Sequence, residues 1–164
     1  MKKDLINQAM QTYFQGDTPL INHALKVLEY SERLIEVYED SCNREVITYA
    51  ALLHDIGIPE AQRKYDNGSG KYQQIEGPPI ARDILELHNI QESIIAEVCQ
   101  IIAHHHTPGI IDTVNFHILY DADWLVNLPN VHGLDHSPDK LMQLIEETYL
   151  TALGKDLARA QFLD

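Results

Sequence analysis

The segment at residues 52–57 indicates the fold of the chain, and it reads Leu52-Leu53-His54-Asp55-Ile56-Gly57. These residues close a largely apolar run, Arg44 to Ile56, whose spacing predicts a buried helix that a glycine and a nearby proline would stop. His54 lies three residues after Ala51, and Asp55 lies four after it, so both share an apolar face of that helix. The pattern therefore places an imidazole and a carboxylate inside the protein.

Helical spacing continues on both sides of this run. We expect helices at about residues 4–14, 18–38, 44–56, 78–88, 91–106, 113–128 and 138–160. Residues 59–76 are polar and contain glycines, which predicts a loop with room for one short helix. The chain is thus predicted to be a single all-α domain over 1–164, a compact bundle of roughly six to eight helices. Its core would span about 20–135, with a C-terminal helical extension at about 138–160.

Three other predicted helices also carry a polar residue among apolar ones. His23 shares the stripe of its helix, His105 continues the stripe of residues 91–106, and Asp121 lies within the apolar series of residues 113–128. Each residue alone is more often a hydrogen-bonded core group than a ligand. Buried charges need a partner, and one shared cation would compensate several of them at once. Imidazole and carboxylate ligands suit Mn, Fe, Co, Ni or Zn, and Mg is compatible with the carboxylates.

The charge balance narrows the class of partner. Twelve Lys and Arg residues face 25 Asp and Glu residues, a net charge of −13. Such a chain lacks the positive field that attracts nucleic acid or anionic membrane. It contains no apolar stretch long enough to span a bilayer, and its start lacks the features of a secretory signal. With only two cysteines, we expect a reduced cytoplasmic protein.

The order of these residues resembles the HD-domain superfamily of metal-dependent phosphohydrolases. The family pattern is H…HD…D, and it falls on His23, His54, Asp55 and Asp121, with Asp121 inside Tyr120-Asp121-Ala122-Asp123-Trp124-Leu125. The resemblance covers about residues 20–135. It implies a helical bundle in which those four residues bind one divalent metal tightly. Asp123, two residues further on, is expected to point to another side of its helix.

Two further segments bear on a second metal. Three histidines, His104, His105 and His106, follow one another, and the resemblance implies that His105 or His106 faces the site while His104 is peripheral. Where two-metal members of the family carry an additional histidine, this chain has Glu76 before Gly77. Glu76 could ligate a cation, orient a water molecule or lie at the surface, so a second, weaker metal site stays open.

The resemblance also implies the reaction. Metal-activated water would attack a phosphate ester, a nucleotide or a small organophosphate, with Asp55, Glu76 and His105 as catalytic residues. Asp123 is the alternative to Glu76 as general base, and His105 with His106 could contact the phosphate. One of four cations is expected to bind the substrate phosphate: Arg63, Lys64, Lys71 or Arg82.

Two other classes of function remain open. A di-iron oxygenase of the same fold would require the histidine that Glu76 replaces. A non-catalytic module that binds a metal or a nucleotide would not need the complete set of ligands.

Overall fold

The computed structural model describes residues 1–163, and every regular element in that range is helical. The α-helices are α1 (Lys2–Tyr13), α2 (Thr18–Tyr38), α3 (Arg44–Leu53), α4 (Ile58–Tyr65), α5 (Gly70–Leu87), α6 (Glu92–His104), α7 (Val114–Asn127), α8 (Pro138–Thr148) and α9 (Ala152–Phe162). One-turn 3₁₀ helices, Glu39–Ser41 and Leu128–Asn130, follow α2 and α7. The prediction of an all-α fold is confirmed.

Helix α3 lies at the centre of the molecule. Its first turn is capped by Asn43, whose Oδ1 accepts hydrogen bonds from the amides of Glu45 (3.0 Å) and Val46 (3.3 Å). Every side chain from Val46 to Leu53 is buried, and the helix packs against α1, α2, α6 and α7. Because α3 is enclosed on all sides, the His54-Asp55 pair at its end lies among the surrounding helices.

The expected loop at residues 59–76 is largely helical. It contains α4 and the first turns of α5, which runs through Pro78 and Pro79 instead of beginning there. The sequence pattern failed here because these turns are polar, with only Ala61 of α4 buried. Ion pairs from Glu60 to Arg63 and to Lys64 connect successive turns of α4.

The turn after Asp55 fits directly against α5. A Cβ added to Gly57 would lie 2.5 Å from the carbonyl oxygen of Gln73 and 2.6 Å from the amide nitrogen of Gly77. A Cβ added to Gly77 would lie 2.7 Å from Cγ2 of Ile102 on α6. The two glycines thus allow the backbone beside Asp55 to lie within van der Waals contact of α5.

The predicted C-terminal helical extension consists of two helices. Helices α8 and α9 pack on each other, and α9 packs on α7. Ile145, Tyr149 and Ala158 form a small apolar cluster with Leu125 of α7. Within residues 1–163, no helix combines the length and the apolar character that crossing a bilayer requires.

Candidate metal centre

Two histidines from adjacent helices face each other. Nε2 of His23 on α2 lies 3.1 Å from Nε2 of His54 at the end of α3. Oδ2 of Asp55 lies 3.4 Å from each of those nitrogens. His54 is fully buried, and His23 and Asp55 are largely so. These three residues bring potential ligand atoms from two helices to one point.

The tautomer of His54 follows from its second nitrogen. Nδ1 donates a hydrogen bond to the carbonyl oxygen of Ala51 at 2.9 Å. In the neutral ring, the lone pair is then on Nε2, the atom that faces His23 and Asp55. A ring whose Nδ1–H is fixed by a backbone carbonyl has the arrangement of a typical metal ligand.

Asp123 on α7 completes this cluster. Its Oδ1 lies 3.0 Å from Nε2 of His23 and 3.5 Å from Nε2 of His54. The same oxygen accepts a hydrogen bond of 2.8 Å from Nδ2 of Asn127, one turn later on the helix. The expectation that Asp123 points away from the site is therefore wrong in its geometry. Sequence analysis also missed Asn127, whose only signal was its spacing of four residues from Asp123.

Asp121, which the motif placed at the metal, faces a different part of the molecule. Its Oδ1 accepts a hydrogen bond from the amide of Leu150 (2.8 Å), and its Oδ2 accepts from the amide (2.8 Å) and hydroxyl (2.7 Å) of Thr151. A Cβ on Gly154 would overlap this carboxylate. Residues two apart on a helix point about 200° apart, so Asp121 and Asp123 cannot both face the histidines. Asp121 instead fixes the junction of α8 and α9, which corrects its predicted role.

The charged groups of the cluster shift one another's pKa values. Burial opposes a charge on His54, but the carboxylates of Asp55 and Asp123 outweigh burial and hold the pKa of His54 well above its ordinary value. Burial would likewise raise the pKa of Asp55, but the neighbouring His54 and His105 keep that pKa well below its usual range. The two carboxylates thus require a positive charge, which a proton or a metal cation can supply.

His105 adds an unpaired nitrogen on the other side of Asp55. Its Nδ1 donates to the carbonyl oxygen of Ile102 at 2.7 Å. Its Nε2 is buried, lies 3.5 Å from Oδ1 of Asp55 and receives no hydrogen bond from any residue between 1 and 163. A buried polar atom without a partner is costly, and a cation or a substrate atom would satisfy it. This orphaned nitrogen therefore fits a site that binds a further group.

The other two histidines of the run have different surroundings. The ring of His106 packs 3.9 Å from that of His105, and its Nε2 lies 2.9 Å from Oε1 of Gln73. His104 borders a separate cavity of about 280 Å³ with Arg82 and Cys99. The structure thus brings His105 and His106 together near Asp55.

Glu76 is engaged by helix α4. Its Oε2 accepts a hydrogen bond from Nζ of Lys64, and its Oε1 accepts one from the hydroxyl of Tyr65, each at 2.8 Å. The bond from Lys64, followed by that from Tyr65, lowers the pKa of Glu76. Both oxygens therefore accept hydrogen bonds from α4, and the predicted role of Glu76 as a ligand or a general base stays a prediction.

The four candidate phosphate contacts have partners of their own. Lys64 pairs with Glu76, and Arg63 forms two hydrogen bonds with Glu60. Nζ of Lys71 lies 5.4 Å from the centre of the Tyr72 ring. Arg82 pairs with Glu86 and Glu92 at the outer ends of α5 and α6. None of these contacts involves the imidazole cluster.

The cluster as a whole has the chemistry of a metal site. Two groups bring potential ligand atoms within 4.8 Å of one another: His23, His54 and Asp55, and Asp55, His105 and His106. Asp55 belongs to both. Imidazole with carboxylate is a donor set that suits divalent Mn, Fe, Co, Ni and Zn.

Comparison with known proteins agrees with this donor set. A family model described as HD domain matches residues 20–128, which is more than half of the chain. Neither the curated proteins nor the solved structures that were compared with the chain gave a match. Members of this family bind divalent metals and typically hydrolyse phosphate compounds.

Proposed function

The chain belongs to the HD domain family, and on that premise we propose that it is a metal-dependent phosphohydrolase that acts on a nucleotide or a small organophosphate. The observation that carries the proposal is the convergence of His23, His54, Asp55 and Asp123 around one point. We assign these four residues as the ligands of one tightly bound divalent metal. Asp123 thereby takes the place that the sequence motif gave to Asp121.

Asp55 links the metal ligands to the reacting groups. Its Oδ2 faces His23 and His54, and its Oδ1 faces Nε2 of His105. A divalent metal held there would lower the pKa of water and polarise a phosphoryl oxygen. Asp55 therefore has one oxygen for the cation and one to orient a water molecule toward the phosphate.

His105 is the proposed proton acceptor. Its Nδ1–H is fixed by the carbonyl of Ile102, so the neutral ring presents a basic Nε2 to the same space. The water oxygen forms a bond to phosphorus as the ester P–O bond breaks, and the proton released by water passes to Nε2. The leaving oxygen takes a proton from solvent, and the products are an alcohol and inorganic phosphate.

A second, weaker cation site is compatible with the same residues. Asp55, His105 and His106 offer ligand atoms within 4.8 Å of one another. A cation there would share Asp55 with the first site, and its occupancy would withdraw His105 from proton transfer. Metal content therefore decides between these two roles of His105.

The test is a panel of nucleotides and simple phosphate esters assayed with added Mn, Fe, Co, Ni, Zn or Mg. We expect hydrolysis with at least one transition metal, and at least a hundredfold loss in Asp55→Ala. Asp83→Ala is the matched control, because Asp83 is an exposed aspartate on α5. The proposal fails if no ester is hydrolysed with any metal, or if Asp55→Ala is as active as the parent.

The same preparations separate the other classes of function. Two bound irons with an oxygen-dependent change in the optical spectrum would identify an oxygenase. Stoichiometric metal without turnover of any ester would identify a binding module. Near one equivalent of metal together with hydrolysis supports the phosphohydrolase.

A further inference from the structure

Helices α2 and α7 carry two residues of the metal centre and also line a cavity further along. His23 and Asp123, which meet at the centre, lie on these two helices, and the helices pack along each other. Further along both helices is a cavity of about 190 Å³. Its lining residues come from three helices and the turn after α7: Lys26, Tyr30, Leu125, Val126, Pro129 and Gln161.

The spacing of the lining residues gives the distance of this cavity from the metal centre. Lys26 and Tyr30 follow His23 by three and seven residues, and Val126 follows Asp123 by three. Residues three and seven apart share a face of a helix. At a rise of about 1.5 Å per residue, the cavity lies roughly 5–10 Å along the helices from the metal centre. This distance is within the length of the organic part of a small phosphate ester.

The walls of the cavity combine apolar surface with positive charge. Leu125, Val126 and Pro129 form the apolar side. Lys26 is exposed, and its contact with Glu29, at 3.5 Å between two exposed side chains, is a weak one. The guanidinium of Arg33 lies 5.5 Å from the centre of the Tyr30 ring. In a chain with a net charge of −13, two cations beside an apolar cavity favour an anion attached to an apolar spacer.

The far wall is held by the C-terminal helix. The hydroxyl of Tyr30 donates to Oε1 of Gln161 at 2.6 Å, and Nε2 of Gln161 donates to the carbonyl oxygen of Leu125 at 3.4 Å. Gln161 lies on α9, beyond the residues 20–128 that match the HD family. The cavity is thus closed by a part of the chain that the family match does not include.

We propose that this cavity is a specificity subsite for the leaving group of the substrate, and that Lys26 binds a second anionic group on it. The substrate class is then a phosphate ester whose organic part carries a carboxylate or a second phosphate, roughly 5–10 Å from the reacting phosphorus. The inference rests on the proposed phosphohydrolase function. It gives the leaving group a position that the metal ligands alone do not define.

The experiment compares two esters that differ only in this anion, phenyl phosphate and 4-carboxyphenyl phosphate, with the Mn²⁺-loaded protein. We expect Lys26→Ala to raise KM for the carboxylated ester about tenfold, as the loss of a hydrogen bond to a charged group does. In Lys26→Ala, the kcat for the carboxylated ester should change less than twofold. The kcat and KM for phenyl phosphate should also change less than twofold. Lys26→Arg should restore the KM of the carboxylated ester. Lys140→Ala, on the exposed side of α8, is the control for the loss of one positive charge.

The binding of two non-hydrolysable phosphonates tests the subsite even if no ester is hydrolysed. Titration calorimetry with benzylphosphonate and 4-carboxybenzylphosphonate should show a preference for the carboxylated compound in the parent and in Lys140→Ala, lost in Lys26→Ala. Absence of all hydrolysis together with this preference would overturn the phosphohydrolase and leave the subsite standing. An unchanged preference in Lys26→Ala, or an equal rise of KM for both esters, would overturn the subsite.

Discussion

Asp121 and Asp123 lie two residues apart on α7, yet their carboxylates belong to two different parts of the molecule. Asp123 Oδ1 lies 3.0 Å from Nε2 of His23, whereas Asp121 accepts its hydrogen bonds from Leu150 and Thr151. One helix therefore connects the metal centre on one side with the α8–α9 junction on the other.

Asparagine substitutions should separate these two roles. Asp123→Asn removes a direct ligand, so we expect Mn²⁺ binding to weaken by at least about 100-fold, more than the loss of an outer partner causes. Asp121→Asn should keep Mn²⁺ affinity within about threefold but lower the free energy of unfolding by about 1–3 kcal/mol, because buried donors lose their acceptor. Titration calorimetry and urea unfolding measure the two effects. The reverse pattern would return Asp121 to the metal site.

Asn127 should act on the metal through Asp123. Its amide donates to Oδ1 of Asp123 at 2.8 Å, so Asn127→Ala leaves that carboxylate without its orienting partner. We expect Mn²⁺ affinity to fall by about 10- to 100-fold, the usual effect of losing such a partner. Asn7→Ala, which removes a partly exposed amide on α1 whose Oδ1 accepts a hydrogen bond from Gln11, is the control. Equal affinities in the two variants would show that Asn127 does not orient Asp123.

Gly57 should tolerate no side chain. In Gly57→Ala, the new methyl group meets backbone atoms of Gln73 and Gly77 at 2.5 and 2.6 Å, so the turn beside Asp55 must move away from α5. We expect a loss of about 3 kcal/mol in the free energy of unfolding, as for other overpacked sites. In Gly68→Ala the nearest atoms are 3.5 Å away or more, and the change should stay below about 0.5 kcal/mol. Urea denaturation of both variants gives the comparison.

Metal binding should release a proton from the cluster. Without a cation, Asp55 and Asp123 hold the pKa of His54 above its ordinary value despite burial, and a ligating imidazole must be neutral. As pH falls below that raised pKa, protons compete with the metal, so apparent Mn²⁺ affinity should fall about tenfold per pH unit for one displaced proton. Above it, affinity should level off. Calorimetry in buffers of different ionisation enthalpy counts the protons, and a count of zero would contradict this picture.

Much of the architecture followed from local patterns. The long apolar stripe of α2 and the buried run of α3 were predicted because periodicity and capping act within a few residues. The sequence left room for one short helix at residues 59–76, but the extent of α4 and the early start of α5 were not predicted, since their polar turns depend on contacts with each other, such as Lys64 with Glu76. The role of the Glu76 carboxylate stayed open in the sequence for the same reason: its partner Lys64 lies 12 residues earlier on another helix.

Local sequence patterns predict the helical fold and the inward direction of His54 and Asp55, because an enclosed helix leaves its terminal residues no other side. Which aspartate of α7 joins them depends on how the helices pack. Asn115 to Asp123 are buried on nearly every side of that helix, so its apolar pattern does not define a single inward face. The rotation of α7 about its axis is fixed by the packing of α2 and α3 on one side and α9 on the other. That rotation turns Asp123 toward His23 and Asp121 toward Thr151.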